Sequence, residues 1–273
     1  MSRIYSLSAL TVMELAPPDM VTCARDAGYS HVGLRIVPAT TTEPNWDTVG
    51  DTPTIRETLA RLRDTGITVL DIEVLRLTPE FRIADFEKVF ATGAALGARN
   101  ALVADSDPDV ARFVDHYGAL CDLAARYGIA PSVEPMPWTE AKNFAQAVAL
   151  VTAAARGNSG VVIDPLHFDR GGSEADEIAP VPREYIRYLQ MCDAPAERPT
   201  EVAELLRQAR TDRLLPGEGA IDLVGILRNV PADTPISMEV PQAALVASVP
   251  AVERARRALV ATRRLVERAG LPA

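Results

Sequence analysis

The sequence predicts an α/β chain closed as a single-domain (β/α)8 TIM barrel over residues 1–273. Three observations predict it. Eight short, β-branched apolar runs alternate with Ala-, Leu- and Arg-rich amphipathic stretches, the pattern of a parallel sheet covered by helices. Their starts lie 27, 37, 32, 31, 30, 27 and 48 residues apart, and eight such units make a barrel of about 250 residues. An open doubly wound sheet is the alternative, but the first βα connection, SALTVMELAPPD, lacks the glycine-rich turn such a sheet favours.

Taken in order, the expected strands are Ile4–Ser8, His31–Ile36, Thr68–Val74, Asn100–Ala104, Pro131–Glu134, Val161–Ile163, Tyr188–Cys192 and Ile236–Val240. Helical patterns such as TIRETLARLRDTG, DFEKVFATGAALG and DHYGALCDLAARYG separate them. Several close on a glycine just before the next strand, at Gly28, Gly66, Gly97 and Gly128, where a left-handed residue ends a helix. The terminal VERARRALVATRRLVERAG reads as the last barrel helix with a solvated arginine face. No Ser/Gly linker or low-complexity tract divides the chain.

The composition, 48% hydrophobic and 24% charged, is that of a globular protein. Twenty-eight basic against 37 acidic residues give a net charge of -9, which argues against nucleic-acid partners. Three cysteines with no CxxC suit a reducing cytoplasm. No stretch approaches the length of a membrane span, and the N-terminus lacks the pattern of a secretory signal. The expectation is a cytoplasmic protein with a small-molecule partner, neither nucleic acid nor membrane, whose exposed barrel face suits a homodimer.

In a barrel, chemistry collects where the strands end at the C-terminal mouth. Arg35 ends the second strand and Glu73 the third; Asp105 and Asp107 follow the fourth. Glu134 ends the fifth, Asp164 the sixth with His167 beyond it, Gln190 and Asp193 lie on the seventh, and Glu239 ends the eighth. A carboxylate there is partly desolvated and needs a cation. Any one of these acids has a plain structural alternative, a rim arginine. Four oxygen donors converging from successive strands are better explained by one divalent metal. Asp193 is read apart, as a helix cap or a support for a neighbour.

At these residues the chain resembles the xylose-isomerase-like TIM-barrel superfamily of sugar phosphate isomerases and epimerases. The resemblance rests on Glu134-Pro135, on Asp164-Pro165-Leu166-His167, on the Q-x-x-D-A of the seventh strand, on Pro216 to Leu223, and on Glu239. It implies one metal held by Glu134, Asp164, Gln190 and Glu239, with Glu134 and Glu239 also moving protons and His167 contacting substrate. Those epimerases usually carry His where this chain has Gln190. An all-oxygen set favours Mn²⁺ or Mg²⁺, with Co²⁺ or Zn²⁺ behind them. Gln at this place also resembles the 3-dehydroshikimate dehydratases, lyases on the same barrel. Relatives with trinuclear zinc need more imidazoles than His31, His116 and His167 supply.

The leading expectation is therefore a metal-dependent isomerase or epimerase that works through an enediolate of a small hydroxy-carbonyl compound, with Glu134, Glu239 and His167 catalytic. A metal-dependent dehydratase is the first alternative, and a non-catalytic small-molecule-binding barrel the second. Substrate recognition is expected from Arg35, Trp46, Trp138, His167 and Arg213. Trp138 and Met136 stand equally well as a substrate wall or as loop packing, and Trp46 lies in a long loop suited to a lid. Pro216-Gly217-Glu218-Gly219 is not a phosphate loop; it reads as a tight turn that places Glu218 or Arg213 over the mouth.

Overall fold

A computed structural model describes residues 3–271. Eight parallel strands close in sequence order, β1 (Tyr5–Ser8), β2 (His31–Arg35), β3 (Thr68–Leu77), β4 (Asn100–Asp105), β5 (Ala130–Val133), β6 (Gly160–Ile163), β7 (Ile186–Met191) and β8 (Ile236–Met238). The barrel is sealed where β1 pairs with β8, Ser6 beside Ser237 and Leu7 beside Met238. The expected strands all form, with boundaries shifted by a few residues. The largest shift is in β3, which continues three residues past Val74 to Leu77, across an irregularity in its pairing with β4 between Ile72 and Leu75.

The helices are α1 (Pro17–Ala27), α2 (Pro53–Thr65), α3 (Glu87–Leu96), α4 (Val110–Ala125), α5 (Phe144–Ala154), α6 (Pro165–Arg170), α7 (Val202–Thr211), α8 (Leu223–Asn229) and α9 (Ala251–Arg268). Their starts are written in short polar residues and prolines. Thr52 accepts from the Ile55 amide, Asp109 from Arg112 and Asn143 from Gln146, while Pro17 and Pro53 occupy first-turn positions. Gly28, Gly66, Gly97 and Gly128 all have positive φ, as the sequence pattern requires. Among the described residues, no helix is long and apolar enough to cross a membrane.

The apolar core fills the layer between strands and helices, with Leu7, Val32, Leu75, Phe90, Phe113, Val133 and Leu189 fully enclosed. The inside of the barrel differs. Ser6, Ser8, Asp71, Glu73, Ser132, Tyr188, Gln190 and Ser237 are all buried there or close to it, so the interior below the mouth is polar. Two apolar side-chain clusters interrupt it: Leu70, Val162 and Tyr188 in one, and Val74, Leu102, Ala104 and Met136 in the other.

Candidate active site

The mouth is built from residues at or just beyond the strand ends. Glu134 follows β5, and its amide donates to Val103 of β4 at 2.9 Å. Asp164 is both the residue after β6 and the N-cap of α6; its Oδ1 accepts from the amides of Leu166 (2.8 Å) and His167 (3.3 Å). That cap explains the spacing from Asp164 to His167: one turn of helix lays the imidazole back over the carboxylate, 3.7 Å from Nε2 to Oδ2. Glu239 follows β8, its amide donating to Met191 at 3.0 Å. Gln190 projects from β7.

These four are 6%, 1%, 3% and 0% exposed for Glu134, Asp164, Glu239 and Gln190, so their charges cannot be left to solvent. Arg213 supplies part of the answer. Its Nη1 lies 2.5 Å from Asp164 Oδ2 and its Nη2 3.1 Å from Glu239 Oε2. Arg213, expected over the mouth as a substrate contact, lines the cavity there and is at the same time buried within the acid cluster, its Nε bonded to the carbonyl of Ala209. Burial alone would lower its pKa, but Asp164, Cys192 and Glu239 reverse that and hold it well above the usual range.

Glu239 is tied on several sides. Besides Arg213, it accepts from Ser8 Oγ at 2.8 Å and from Gln190 Nε2 at 3.0 Å. Glu134 has no such support: no side-chain hydrogen bond holds its carboxyl among the described residues. Burial, then Glu239 and Asp164, push its pKa well above the ordinary carboxylate value. Burial also raises Glu239, with Arg213 opposing. His167 moves the other way, well below its ordinary value, through burial and the neighbouring Arg213. It is therefore a neutral imidazole. Its Nε2 faces both Arg213 Nη2 at 3.5 Å and Asp164 Oδ2 at 3.7 Å, and its Nδ1 is buried without a partner.

A divalent cation fits these residues. Asp71, Glu73, Glu134, Asp164 and Glu239 are all buried around the mouth, and only two guanidiniums, Arg35 and Arg213, are paired with them. Glu134 forms no ion pair of its own among the described residues, and Gln190 Oε1 is a buried acceptor with no partner. Ligand atoms of Glu134, Asp164 and His167 lie within 4.8 Å of one another. His167, expected only as a substrate contact, thus stands close enough to the acids to share a cation with them.

The remaining expected residues separate cleanly. Arg35 holds Glu73 through Nε (3.2 Å) and Nη2 (2.9 Å) and Glu43 through Nη1 (3.0 Å), so it ties the loop after β2 to the barrel interior. Trp138 meets His167 edge-on at 5.0 Å and, with Met136, lines the cavity over the mouth. Trp46 does not reach that cavity; it lies in a side crevice with Leu15, Met20 and Leu34. Asp193 is structural: it accepts from the amides of Gly217 and Gly219 (2.9 Å each) and Ile221 (3.2 Å). A Cβ on Gly219 would lie 2.4 Å from that carboxylate, so the turn admits only glycine there. Glu218 is exposed on the turn rather than over the mouth. Asp107 pairs with Arg112, and His31 and His116 lie outside the cluster.

Sequence reasoning missed Ser8, Asp71, Arg76 and Arg210. Ser8 ends β1 and was readable by the same strand-end rule as the acids. Asp71 sits two residues before Glu73 on the same inward face. Burial and Glu73 raise its pKa well above the usual value, and Tyr188 bonds to it at 3.4 Å.

Fold and site together describe an α/β barrel with an acid cluster at its C-terminal mouth that is suited to a divalent cation. A profile of the xylose isomerase-like TIM barrel matches residues 21–265, and the chain belongs to that family. It is similar to the 3-dehydroshikimate dehydratase of Pseudomonas aeruginosa, 32% identical over 143 residues, 51% of this chain. The chain spans only 22% of that enzyme's length. It is 31% identical to the inosose isomerase of Bacillus subtilis over 112 residues, 40% of this chain and 38% of that enzyme. Among solved structures, the IolI protein with a bound zinc atom superposes with a TM-score of 0.79 at 20% identity, over 97% of this chain and 98% of that one. That likeness is one of fold.

Proposed function

We propose that this chain is a divalent-metal-dependent isomerase or epimerase of a small hydroxy-carbonyl compound, sugar- or polyol-like. The observation that supports this reading is the grouping of Glu134, Asp164 and His167, whose ligand atoms lie within 4.8 Å of one another, beside the buried Glu239 and the Gln190 bonded to it. A cation held by these residues would supply Lewis acidity to a substrate carbonyl and so acidify the neighbouring C–H. Glu134, its carboxyl free of protein hydrogen bonds, takes that proton. Glu239, once protonated from a substrate hydroxyl or solvent, delivers one to the adjacent carbon in an isomerase or to the opposite face of the same carbon in an epimerase. His167 contacts a substrate oxygen, and Trp138 closes the wall behind it. The three cysteines, buried and free, are in keeping with a reducing, cytoplasmic setting.

A second reading is favoured by a specific observation. Glu239 is held by Ser8, Gln190 and Arg213, whereas no side-chain hydrogen bond holds the Glu134 carboxyl among the described residues. One mobile base with one fixed carboxylate suits elimination of water, as does Gln190 in place of an imidazole and the similarity to a dehydratase. The test is the reaction of metal-loaded protein with polyols, hydroxyketones and keto acids in D₂O, followed by NMR and mass spectrometry. Deuterium wash-in with a product of unchanged mass supports the isomerase; wash-in with loss of one water supports the lyase. Neither wash-in nor product from any of these classes overturns both.

A further inference from the structure

Four arginines line the cavity over the mouth: Arg35, Arg76, Arg210 and Arg213. Two are already engaged, Arg35 by Glu73 and Glu43, and Arg213 by Asp164 and Glu239. The other two are not. Among the described residues, neither Arg76 nor Arg210 forms an ion pair. Arg76 is half-buried and bonds through Nη1 to the neutral Ser106 hydroxyl at 2.9 Å. Its pKa is lowered by burial and then by Arg210. Glu43, the acid of the neighbouring loop that lines the same cavity, is taken by Arg35 at 3.0 Å and by the amide of Ala39 at 2.8 Å.

The two arginines come from separate elements, Arg76 from the extension of β3 past Val74 and Arg210 from the last turn of α7. Two guanidiniums lining one cavity repel each other, and an anion between them relieves both charges. Guanidinium is also the side chain whose paired donors match a carboxylate or phosphate edge. Glu134 lines the same cavity as the two arginines, so a group bound between them belongs to the same small molecule that Glu134 would act on.

We propose that Arg76 and Arg210 form an anion subsite that takes a carboxylate or phosphate group of the substrate. This rests on the enolising chemistry proposed above and narrows its substrates to acidic hydroxy-carbonyl compounds, excluding neutral sugars. The subsite is distinct from the acid cluster in sign and in composition. It explains why the cavity carries uncompensated positive charge beside a negatively charged centre.

The test is calorimetric and needs no turnover. Protein passed over a chelating resin is titrated with cyclohexanecarboxylate, inorganic phosphate and the uncharged cyclohexylmethanol. The subsite predicts that at least one anion binds, that the alcohol does not, and that Arg76→Gln and Arg210→Gln each weaken anion binding at least ten-fold. Preference for cyclohexanecarboxylate assigns a carboxylate group, and preference for phosphate a phosphorylated one. Arg210 is exposed, so its variant keeps the test sound if Arg76→Gln misfolds. Wild-type anion affinity in Arg210→Gln, or equal binding of alcohol and carboxylate, overturns the subsite. Turnover of neutral polyols alone would overturn it too, while leaving the enolising reading intact.

Discussion

Gln190 donates from Nε2 to Glu239 Oε1 at 3.0 Å, and this bond fixes which end of the amide is left over. A carboxylate can only accept, so the amide nitrogen must face it. The oxygen Oε1 is then a buried acceptor without a protein partner. In an acid cluster the natural partner for such an atom is a cation.

The first prediction follows from that oxygen. With Glu134, Asp164, Gln190 and Glu239 as donors, Mn²⁺ or Mg²⁺ should restore activity to chelator-treated protein at least as well as Zn²⁺. Gln190→His should move the preference towards Zn²⁺ or Co²⁺. Metal titrations of both proteins decide it, and a wild-type enzyme active only with tightly held Zn²⁺ would refute the reading of Gln190.

Arg213 gives the second prediction. It is the buried counter-ion of both Asp164 and Glu239, so Arg213→Met leaves two carboxylates with too little positive charge. Breaking a buried pair from one side costs about 3–5 kcal/mol. Urea unfolding should show a loss of that order in metal-free protein, and Mn²⁺ should restore part of it by supplying the missing charge. A loss unchanged by Mn²⁺ would mean that the cluster does not bind the ion.

How much of this was legible in the sequence depended on which physical signal each residue carried. The eight strands were readable because buried parallel strands are continuously apolar, and the helix ends because Gly28 and Gly66 must adopt positive φ. Glu134, Asp164, Gln190 and Glu239 were readable as polar interruptions of apolar runs. Arg76 was hidden because β3 runs beyond Val74, through a pairing irregularity that apolar periodicity does not encode. Arg210 lies on a helix face where a lone arginine looks like any solvated one. The burial of Arg213 depends on a long-range meeting with Asp164, 49 residues earlier, and local pattern carries no trace of it.

A third prediction concerns pH. Asp105, at the end of β4, is buried, and that burial raises its pKa from 3.8 to about 6. A carboxyl raised in the folded state favours folding in its protonated form. Its contribution is complete below pH 3.8 and is lost as pH rises through about 6. Asp105→Asn keeps an acceptor for the Asp107 amide, now 3.0 Å from Oδ1, and removes the titration. Relative to wild type, the variant should gain roughly 1–2 kcal/mol between pH 4 and pH 8, allowing for solvent screening. Melting curves at the two pH values check it; a constant difference between the proteins would refute it.

The last prediction turns on the inequality of the two glutamates. Glu239 is fixed by Ser8 Oγ at 2.8 Å, Gln190 Nε2 at 3.0 Å and Arg213 Nη2 at 3.1 Å, and a carboxylate held that way moves little. Glu134 carries no comparable restraint, and its carboxyl lines the cavity where a substrate would lie. On the proposed reading, a carboxyl that faces the cavity without a protein hydrogen bond is the one placed to take the substrate proton, which makes Glu134 the expected base. Glu134→Gln should therefore abolish deuterium wash-in, a fall of about 10²–10⁴-fold for the loss of a general base. Glu239→Gln should act later. If the enzyme is an isomerase, wash-in persists on the Glu134 side while isomer formation stops. Metal content, measured on both variants, separates loss of the ion from loss of the base. Wash-in at the wild-type rate in Glu134→Gln would show that Glu134 does not take the proton, and the assignment would pass to Glu239.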